Sequence, residues 1–354
     1  MKNLCGLSLT ELEQIFPSHP RYRVKQIYKW IIKGISSFEQ MTDIPNSMQT
    51  ELKKDFKILS SEISSIHNDV NTQKTAVTLK DGSCVESVLL NDDKDRFTVC
   101  LSTQVGCPAG CVFCKTGSLG FKRNLDNTEI VEQFFHLKNL LEKISRRDEE
   151  TKHTIDNIVI MGMGEPLLNL DNLRKAISIF TDPHGMNFSK RRITVSTCGI
   201  YAGLFDLAEN GPFIRLALSL VTADETLRQK LMPITKTNPL KNVKDALIRF
   251  QKKSSSRITL EVPLLGGINT RNKDAVSIFE FSKGLDTVVN IIPWNPVTNL
   301  EFEGKPLYEP DKNEIQDFIK MLENQKLKVT KRLHKGRSVM GACGQLGSSL
   351  LHGF

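Results

Sequence analysis

Three cysteines lie within eight residues, at Cys107, Cys111 and Cys114. Thiolates so closely spaced are typical metal ligands, and a structural zinc site closes with four protein ligands. A cubane iron–sulfur cluster is also held by thiolates, usually four. Three cysteines therefore indicate either a distant fourth ligand or an iron atom that stays open for a small molecule. The second arrangement is a catalytic one, and the spacing favours it over zinc.

The cysteines directly follow the first of a series of predicted strands, which must position them. Apolar strand patterns and helical patterns alternate from about residue 96. The predicted strands are 97–102, 157–161, 193–196, 214–219, 258–263 and 288–292, and helical patterns cover 128–144, 173–180, 243–253 and 273–284. Six consecutive βα units imply a parallel sheet with right-handed crossovers. We therefore predict an α/β fold, a partial (β/α)6 TIM-like barrel whose site lies at the carboxyl ends of the strands.

The segments that flank the barrel are predicted from their periodicity. Residues 1–75 are predicted to be helical and to form a small N-terminal accessory domain, and residues 76–95 a β-hairpin linker around Asp81-Gly82. A helix over 312–324 and a strand over 327–330 lead into a glycine-rich tail. We thus predict a barrel core at 96–310 and a C-terminal extension at 311–354.

Composition indicates a soluble, basic protein and leaves a polyanionic partner open. Lys and Arg number 48 against 40 Asp and Glu, which gives a net charge of +8. A positive field attracts polyanions, although a basic protein without such a partner would have the same charge. Basic clusters lie at 122–123, 190–192 and 331–337. The sequence has neither an apolar run of membrane-spanning length nor a secretory signal, so we expect a cytoplasmic protein without a membrane partner.

The cysteine motif, with Phe113 directly before its last cysteine, resembles that of the radical S-adenosylmethionine (SAM) superfamily. The resemblance implies that Cys107, Cys111 and Cys114 hold a [4Fe-4S] cluster. It also implies that the amino and carboxylate groups of SAM bind the open iron. One electron from the cluster would then cleave SAM to a 5′-deoxyadenosyl radical.

Longer segments resemble the RlmN/Cfr family of RNA adenosine methyltransferases over essentially the whole chain. They are 104–107, 120–125, 161–169, 292–296 and 342–346. The resemblance implies SAM-binding roles for Gly164, Glu165, Ser196, Ser219, Leu220, Val221 and Asn295. From the residues alone, a glycine would let the backbone approach a ligand and the adjacent carboxylate could accept from the SAM ammonium. A tight turn with a solvated glutamate explains the first pattern equally well, and without the resemblance the serines are better explained as residues that merely end strands.

Three more residues receive roles only from this resemblance: Glu86, Cys100 and Cys343. Two SAM molecules are implied per turnover: the first methylates Cys343, and the radical from the second abstracts hydrogen from that S-methyl group. The methylene radical adds to C2 of adenine, Glu86 takes the C2 proton, and Cys100 resolves the covalent adduct through a disulfide with Cys343. Without the resemblance, Cys100 would be a buried strand residue and Glu86 an outward carboxylate.

The chain departs from the family pattern at two places. Val221-Thr222 stands where the family usually has His-Ala, and Arg337-Ser338-Val339-Met340 replaces an acidic stretch before the tail cysteine. The second change removes three carboxylates and adds a cation. We therefore expect altered tail dynamics or substrate preference rather than altered chemistry.

The predicted function is methylation of C2 of adenosine in the peptidyl-transferase loop of 23S rRNA and in tRNA, 3′ of the anticodon. The resemblance further implies a flavodoxin-type electron donor and a monomer. One alternative is a Cfr-type C8 methyltransferase of 23S rRNA that confers antibiotic resistance, although residues 166–169 and 293–296 look more like RlmN. The other is a non-enzymatic zinc-bound RNA-binding protein.

Overall fold

The computed structural model describes residues 1–92, 94–145, 153–331 and 335–347. Its strands are β1 (Lys2–Asn3), β2 (Phe56–Lys57), β3 (Glu62–Asp69), β4 (Thr72–Thr78), β5 (Cys84–Asn91), β6 (Phe97–Cys100), β7 (Gln104–Gly106), β8 (Phe121–Asn124), β9 (Ile155–Ile160), β10 (Ile193–Thr197), β11 (Arg215–Ser219), β12 (Ile258–Leu264), β13 (Thr287–Pro293), β14 (Glu301–Phe302), β15 (Lys305–Pro306) and β16 (Val329–Lys331). Its α-helices are α1 (Leu9–Ile15), α2 (Arg21–Lys33), α3 (Asn46–Asp55), α4 (Lys115–Ser118), α5 (Asn127–Ser145), α6 (Leu170–Thr181), α7 (Tyr201–Asn210), α8 (Glu225–Leu231), α9 (Leu240–Ser254), α10 (Asn272–Ser282) and α11 (Lys312–Asn324).

A ten-stranded sheet in the order β16-β13-β12-β11-β10-β9-β6-β5-β4-β3 organises the molecule. The seven strands from β16 to β6 are parallel to one another, and β5, β4 and β3 continue the sheet in antiparallel fashion. Helices connect the consecutive parallel strands and bury their apolar faces in one large core. The predicted α/β fold with six consecutive βα units is thus confirmed, and the short strand β16 extends it by one.

The N-terminal prediction is wrong in one respect, the length of its helical stretch. Its last helix ends at Asp55, and Glu62–Asp69 forms β3 instead of continuing as helix. Exposure alternates along most of this strand, a period of two that a helix cannot satisfy. The predicted hairpin forms as β4 and β5, with Gly82 at φ +79° in its turn, but β5 also pairs with β6. The hairpin is therefore part of the main sheet.

A second, smaller core lies in the N-terminal helical unit. Its buried residues run from Leu4 to Ile58 and include Leu12, Ile27 and Met41. Polar contacts fasten this unit to the barrel: the Tyr28 hydroxyl donates to Asp182, and the buried carboxylate of Glu132 on α5 accepts from the backbone amides of Ser60 and Ser61. No helix in the described ranges combines the length and apolar character that a membrane crossing requires.

The C-terminal tail lies across the antiparallel strands at the edge of the barrel. Lys335 Nζ donates to the carbonyl of Asn91 at 2.8 Å, and the Ser338 hydroxyl donates to Asp69. Gly336 has φ +73°, and a Cβ there would stand 2.7 Å from Thr72 Cγ2. The backbone of the tail therefore packs directly on the end of β4, with no room for a side chain.

Candidate active site

The loop that carries Cys107, Cys111 and Cys114 is fixed by the short hairpin β7–β8. The Cys107 amide donates to the carbonyl of Gly120 at 2.8 Å. Gly106, at φ +74°, approaches that same carbonyl so closely that a Cβ would lie 1.9 Å from its oxygen. Only glycine fits such a contact, so the sequence of the hairpin determines where the first cysteine sits.

The three cysteines of this loop line a single cavity at the carboxyl ends of the parallel strands, which we call the cluster cavity. Burial raises the pKa of Cys107 to about 12 and also raises the pKa values of Cys111 and Cys114. Proximity of the thiols adds to the effect, since Cys114 and Cys107 both disfavour a thiolate at Cys111. Three half-buried cysteines facing one space would need a cationic group to be held as thiolates, which suits thiolate-bound iron. Within the described ranges, no three His, Cys, Asp or Glu residues are grouped as a single metal ion would require.

Gly164 and Glu165 follow β9 and form part of the cavity wall. Gly164 has φ +104°, and a Cβ there would lie 2.6 Å from Gln104 Cβ. The Glu165 amide donates to Gln104 Oε1 at 2.8 Å, so this backbone turn is pinned against β7. The glycine is thus required where the chain passes closest to the cysteine hairpin.

The carboxylate of Glu165 is buried and bonded mainly within the protein. Oε1 accepts from the Leu167 amide at 3.0 Å and from the Thr197 hydroxyl at 2.6 Å, and Oε2 accepts from the Cys198 amide at 2.7 Å. Burial raises the pKa of Glu165, while these donors oppose the shift. The Cys198 thiol is a fourth hydrogen-bond partner, so the acceptor capacity of this carboxylate is largely used within the protein. The main structural effect of the Glu165 carboxylate is to connect the ends of β9 and β10.

The other predicted SAM-binding residues divide into two groups. Ser196 and Ser219 line the cluster cavity with their hydroxyl oxygens 3.2 Å apart, and Asn295 lines it at the end of β13. Leu220 and Val221 are fully buried and do not line it. Val221 has φ +65°, which is unusual for a β-branched residue. The backbone of Val221 is held by Glu261 and Asn269, so this turn is fixed by its surroundings.

Cys343 lies where the cluster cavity meets a second cavity of about 500 Å³, which we call the entry cavity. Cys100 lines the entry cavity together with Cys343, although 243 positions separate them in the chain. Met161, Ile292 and Asn295 also line both spaces. The structure therefore brings both predicted sulfur residues to one space beside the cysteine motif. It forms no disulfide within the part of the chain that it describes.

Glu86 lies beneath the tail, outside both cavities. Its side chain is fully buried, and its Oε2 accepts from the amide of Gly347 at 2.6 Å. Its Oε1 lies 3.1 Å from the ammonium nitrogen of Lys74, which is also buried. The sequence-based picture of an outward strand carboxylate is therefore wrong, because the tail and the neighbouring strand cover this face of the sheet.

Sequence reasoning missed several residues around the cluster cavity. Arg228 is fully buried and donates to the carbonyls of Cys198, Ser219 and Leu220. Its guanidinium thereby fixes the ends of β10 and β11. The Trp294 indole donates to the carbonyl of Phe113 at 2.9 Å. Trp294 lies within the quoted segment 292–296, but its bond to a residue 181 positions away is not visible in the sequence, and no short motif marks the contacts of Arg228.

The predicted basic clusters differ in position. Arg123 forms ion pairs with Asp81 and Glu129, which balance its charge. The 190–192 cluster precedes β10, at the end of the sheet away from the cavities. Four cations, by contrast, line the entry cavity: Lys94, Arg96, Lys331 and Lys335. Residues 332–334 of the third cluster lie outside the described residues.

Two family profiles match the chain. Residues 101–277 match the Radical SAM superfamily, and residues 2–58 match the Ribosomal RNA large subunit methyltransferase N-terminal domain. The first match contains the cysteine loop and the ends of β9 to β12, whereas β13 lies beyond it. The second coincides with the N-terminal helical unit and its separate core.

Full-length relatives and a solved structure resemble the chain from end to end. A protein of Treponema denticola described as a probable dual-specificity RNA methyltransferase RlmN is 46% identical over 98% of this chain and 95% of its own. A protein of Nitratiruptor described as a dual-specificity RNA methyltransferase RlmN is 38% identical over 98% of each chain. The crystal structure of a radical SAM methyltransferase from Sphaerobacter thermophilus superimposes with a TM-score of 0.90 at 33% identity, covering 98% of this chain and 100% of the other.

Proposed function

Because this chain belongs to the RlmN family of radical SAM RNA methyltransferases, we propose that it methylates C2 of adenosine in two RNAs. The targets are an adenosine in the peptidyl-transferase loop of 23S rRNA and the adenosine 3′ of the anticodon in tRNA. As a radical SAM enzyme it uses a [4Fe-4S] cluster and SAM. When bound, the cluster supplies the electron that cleaves SAM to a 5′-deoxyadenosyl radical.

The observation that carries the proposal is the position of Cys343 between the cluster cavity and the entry cavity. A methyl carrier must face the SAM site to receive the methyl group. It must also face the RNA base to transfer that group. Asn295 Nδ2 donates to the Cys343 carbonyl at 3.0 Å, and the Lys115 amide donates to the carbonyl of Gly344 at 2.8 Å. These contacts hold the tail over the cysteine loop with the Cys343 side chain exposed.

In this proposal each reactive side chain has one task. Cys107, Cys111 and Cys114 hold the cluster, and Gly164, Glu165, Ser196, Ser219 and Asn295 form the wall that binds SAM, with the backbone of Leu220 and Val221 behind it. Cys343 accepts and carries the methyl group. Cys100 releases the methylated base by forming a disulfide with Cys343, and Glu86 accepts the C2 proton. Two SAM molecules are consumed in each turnover.

The entry cavity is the proposed site of the target nucleotide. Its wall combines apolar side chains with Lys94, Lys331 and Lys335, which suits a base flanked by phosphates. The adenosine must leave its stack to reach Cys343, as in other enzymes that act on a base. The N-terminal unit would bind the RNA by recognising the shape of the folded RNA. We further propose that the enzyme is a cytoplasmic monomer that receives electrons from a flavodoxin-type donor.

Nucleoside mass spectrometry of rRNA and tRNA tests the proposal. Cells that lack the gene should lack 2-methyladenosine at both positions, and the intact gene should restore it where a Cys343→Ala gene does not. Appearance of 8-methyladenosine instead would favour the Cfr-type activity. Failure of the anaerobically reconstituted protein to form 5′-deoxyadenosine would contradict radical chemistry and favour the zinc alternative.

A further inference from the structure

A buried ion pair joins Lys74 on β4 to Glu86 on β5. The side chains are 1% and 0% exposed, and Lys74 Nζ lies 3.1 Å from Glu86 Oε1. Desolvating two charges costs several kcal/mol per ion, so an apolar pair of similar volume is often at least as stable. This ion pair is therefore poorly explained as a device for stability alone.

The register of the sheet places this pair beside the reactive sulfur residues. Ala76 lies opposite Glu86, Lys74 lies opposite Val88, and Val88 in turn lies opposite Cys100. Residues directly opposite share a face of the sheet, and diagonal neighbours are within reach of a long side chain. Lys74, Glu86 and Cys100 thus project from one face.

The tail covers this face and donates one hydrogen bond to Glu86. A Cβ at Gly341 would lie 3.5 Å from Lys74 Cβ, so the tail packs on the stem of the lysine. Six residues further on, the amide of Gly347 donates to Glu86 Oε2 at 2.6 Å. One carboxyl oxygen therefore faces Lys74 and the other faces the tail segment that carries Cys343.

We propose that Lys74 is a positioning residue that orients the Glu86 carboxylate and balances its charge beneath the docked tail. The inference rests on the proposed function, in which Glu86 accepts the C2 proton of adenine. A general base must be ionised and aimed before it accepts a proton. Without Lys74, the buried carboxylate would keep the Gly347 amide but lose its balancing charge. Lys74 thereby links two requirements, a competent base and a docked methyl-carrying tail.

The variant Lys74→Met tests this role, because methionine retains the length of the stem without its charge. Thr75→Val is the matched control: it removes a buried hydroxyl from the opposite face of the same strand, where Thr75 contacts Ser87. In Lys74→Met, we expect S-methylation of Cys343 to fall much less than formation of methylated RNA, since methylation of Cys343 requires a docked tail but does not use Glu86. Formation of methylated RNA should fall at least tenfold, with an RNA–protein adduct accumulating. Thr75→Val should show neither change.

A readout on the resting protein separates failure of this inference from failure of the proposed function. Hydrogen exchange of the amides in residues 336–347 should accelerate in Lys74→Met and not in Thr75→Val, whatever reaction the enzyme performs. The double variant Lys74→Met/Glu86→Gln should regain the thermal stability lost in Lys74→Met, because no unbalanced charge remains buried. Wild-type product formation in Lys74→Met would overturn the inference. So would loss of Cys343 methylation in parallel with product, which indicates a merely structural role.

Discussion

The side-chain amide of Asn295 donates a hydrogen bond of 3.0 Å to the carbonyl oxygen of Cys343. The other end of that amide accepts from Arg337 Nε at 3.1 Å. Asn295 thus connects the end of β13 to two points of the tail. The proposed methyl carrier is held over the barrel by a residue that itself lines both cavities.

Arg337→Ala should loosen the tail. Besides Asn295, Arg337 donates to the carbonyl of Trp294 and pairs with Glu309 at 2.7 Å, so it anchors the tail at three points. Losing these partly exposed contacts should reduce the free energy that favours the docked tail by about 1 kcal/mol. Amide exchange over residues 336–347 should therefore rise roughly fivefold. Hydrogen-exchange mass spectrometry measures this. Lys320→Ala, which removes an exposed pair on α11, is the control and should leave the tail unchanged.

Cys100→Ala should trap RNA on the protein. If Cys100 resolves the adduct, its removal leaves the methylated base attached to Cys343, and a denaturing gel should show a species containing both RNA and protein. Cys84→Ala, a half-buried cysteine on β5 that lines neither cavity, should turn over normally. Normal turnover by Cys100→Ala would remove the resolving role from this residue.

Gly164→Ala should abolish SAM binding as well as reduce stability. The substitution combines a strained φ of +104° with a Cβ only 2.6 Å from Gln104 Cβ, so the cavity wall must shift. Gly284→Ala is the matched control because its φ is +83° but no atom lies within 4 Å of its Cβ. The control should cost about 1–2 kcal/mol of stability and leave SAM affinity intact. Equilibrium dialysis and thermal unfolding distinguish the two effects, and equal SAM affinity in both variants would contradict a SAM-binding role.

The contact between the N-terminal unit and α5 should weaken in mild acid through His136. Burial lowers the pKa of His136 below its usual 6.5, although Glu132 and Ser61 oppose the shift. The unfolded chain therefore binds a proton more readily, and stability should fall as pH drops below 6.5, by at most about 1.4 kcal/mol per pH unit from this group. Urea unfolding at pH 7.5 and 5.5 should show a smaller pH effect in His136→Gln than in the wild type. His184→Gln, at an exposed position, should retain the full effect.

Local sequence determined the barrel and the cysteine loop. Apolar periodicity along residues 97–102 or 258–263 reflects which side chains each strand buries, and that pattern is readable without a partner. The spacing of Cys107, Cys111 and Cys114 likewise lies within one loop. The same reasoning failed at residues 62–69, where a short polar strand at the sheet edge has too few apolar residues to reveal its period.

Only the tertiary structure decided which distant groups meet. The pairing of Lys74 with Glu86 depends on the register of β4 and β5, and the bond from Gly347 to Glu86 spans 261 positions. Arg228 and the Asn295–Cys343 contact are equally invisible to local patterns. Periodicity records whether a residue is buried, but it does not record what it is buried against. That information resides in strand register and in the path of the tail, which the whole chain sets when its two cores form.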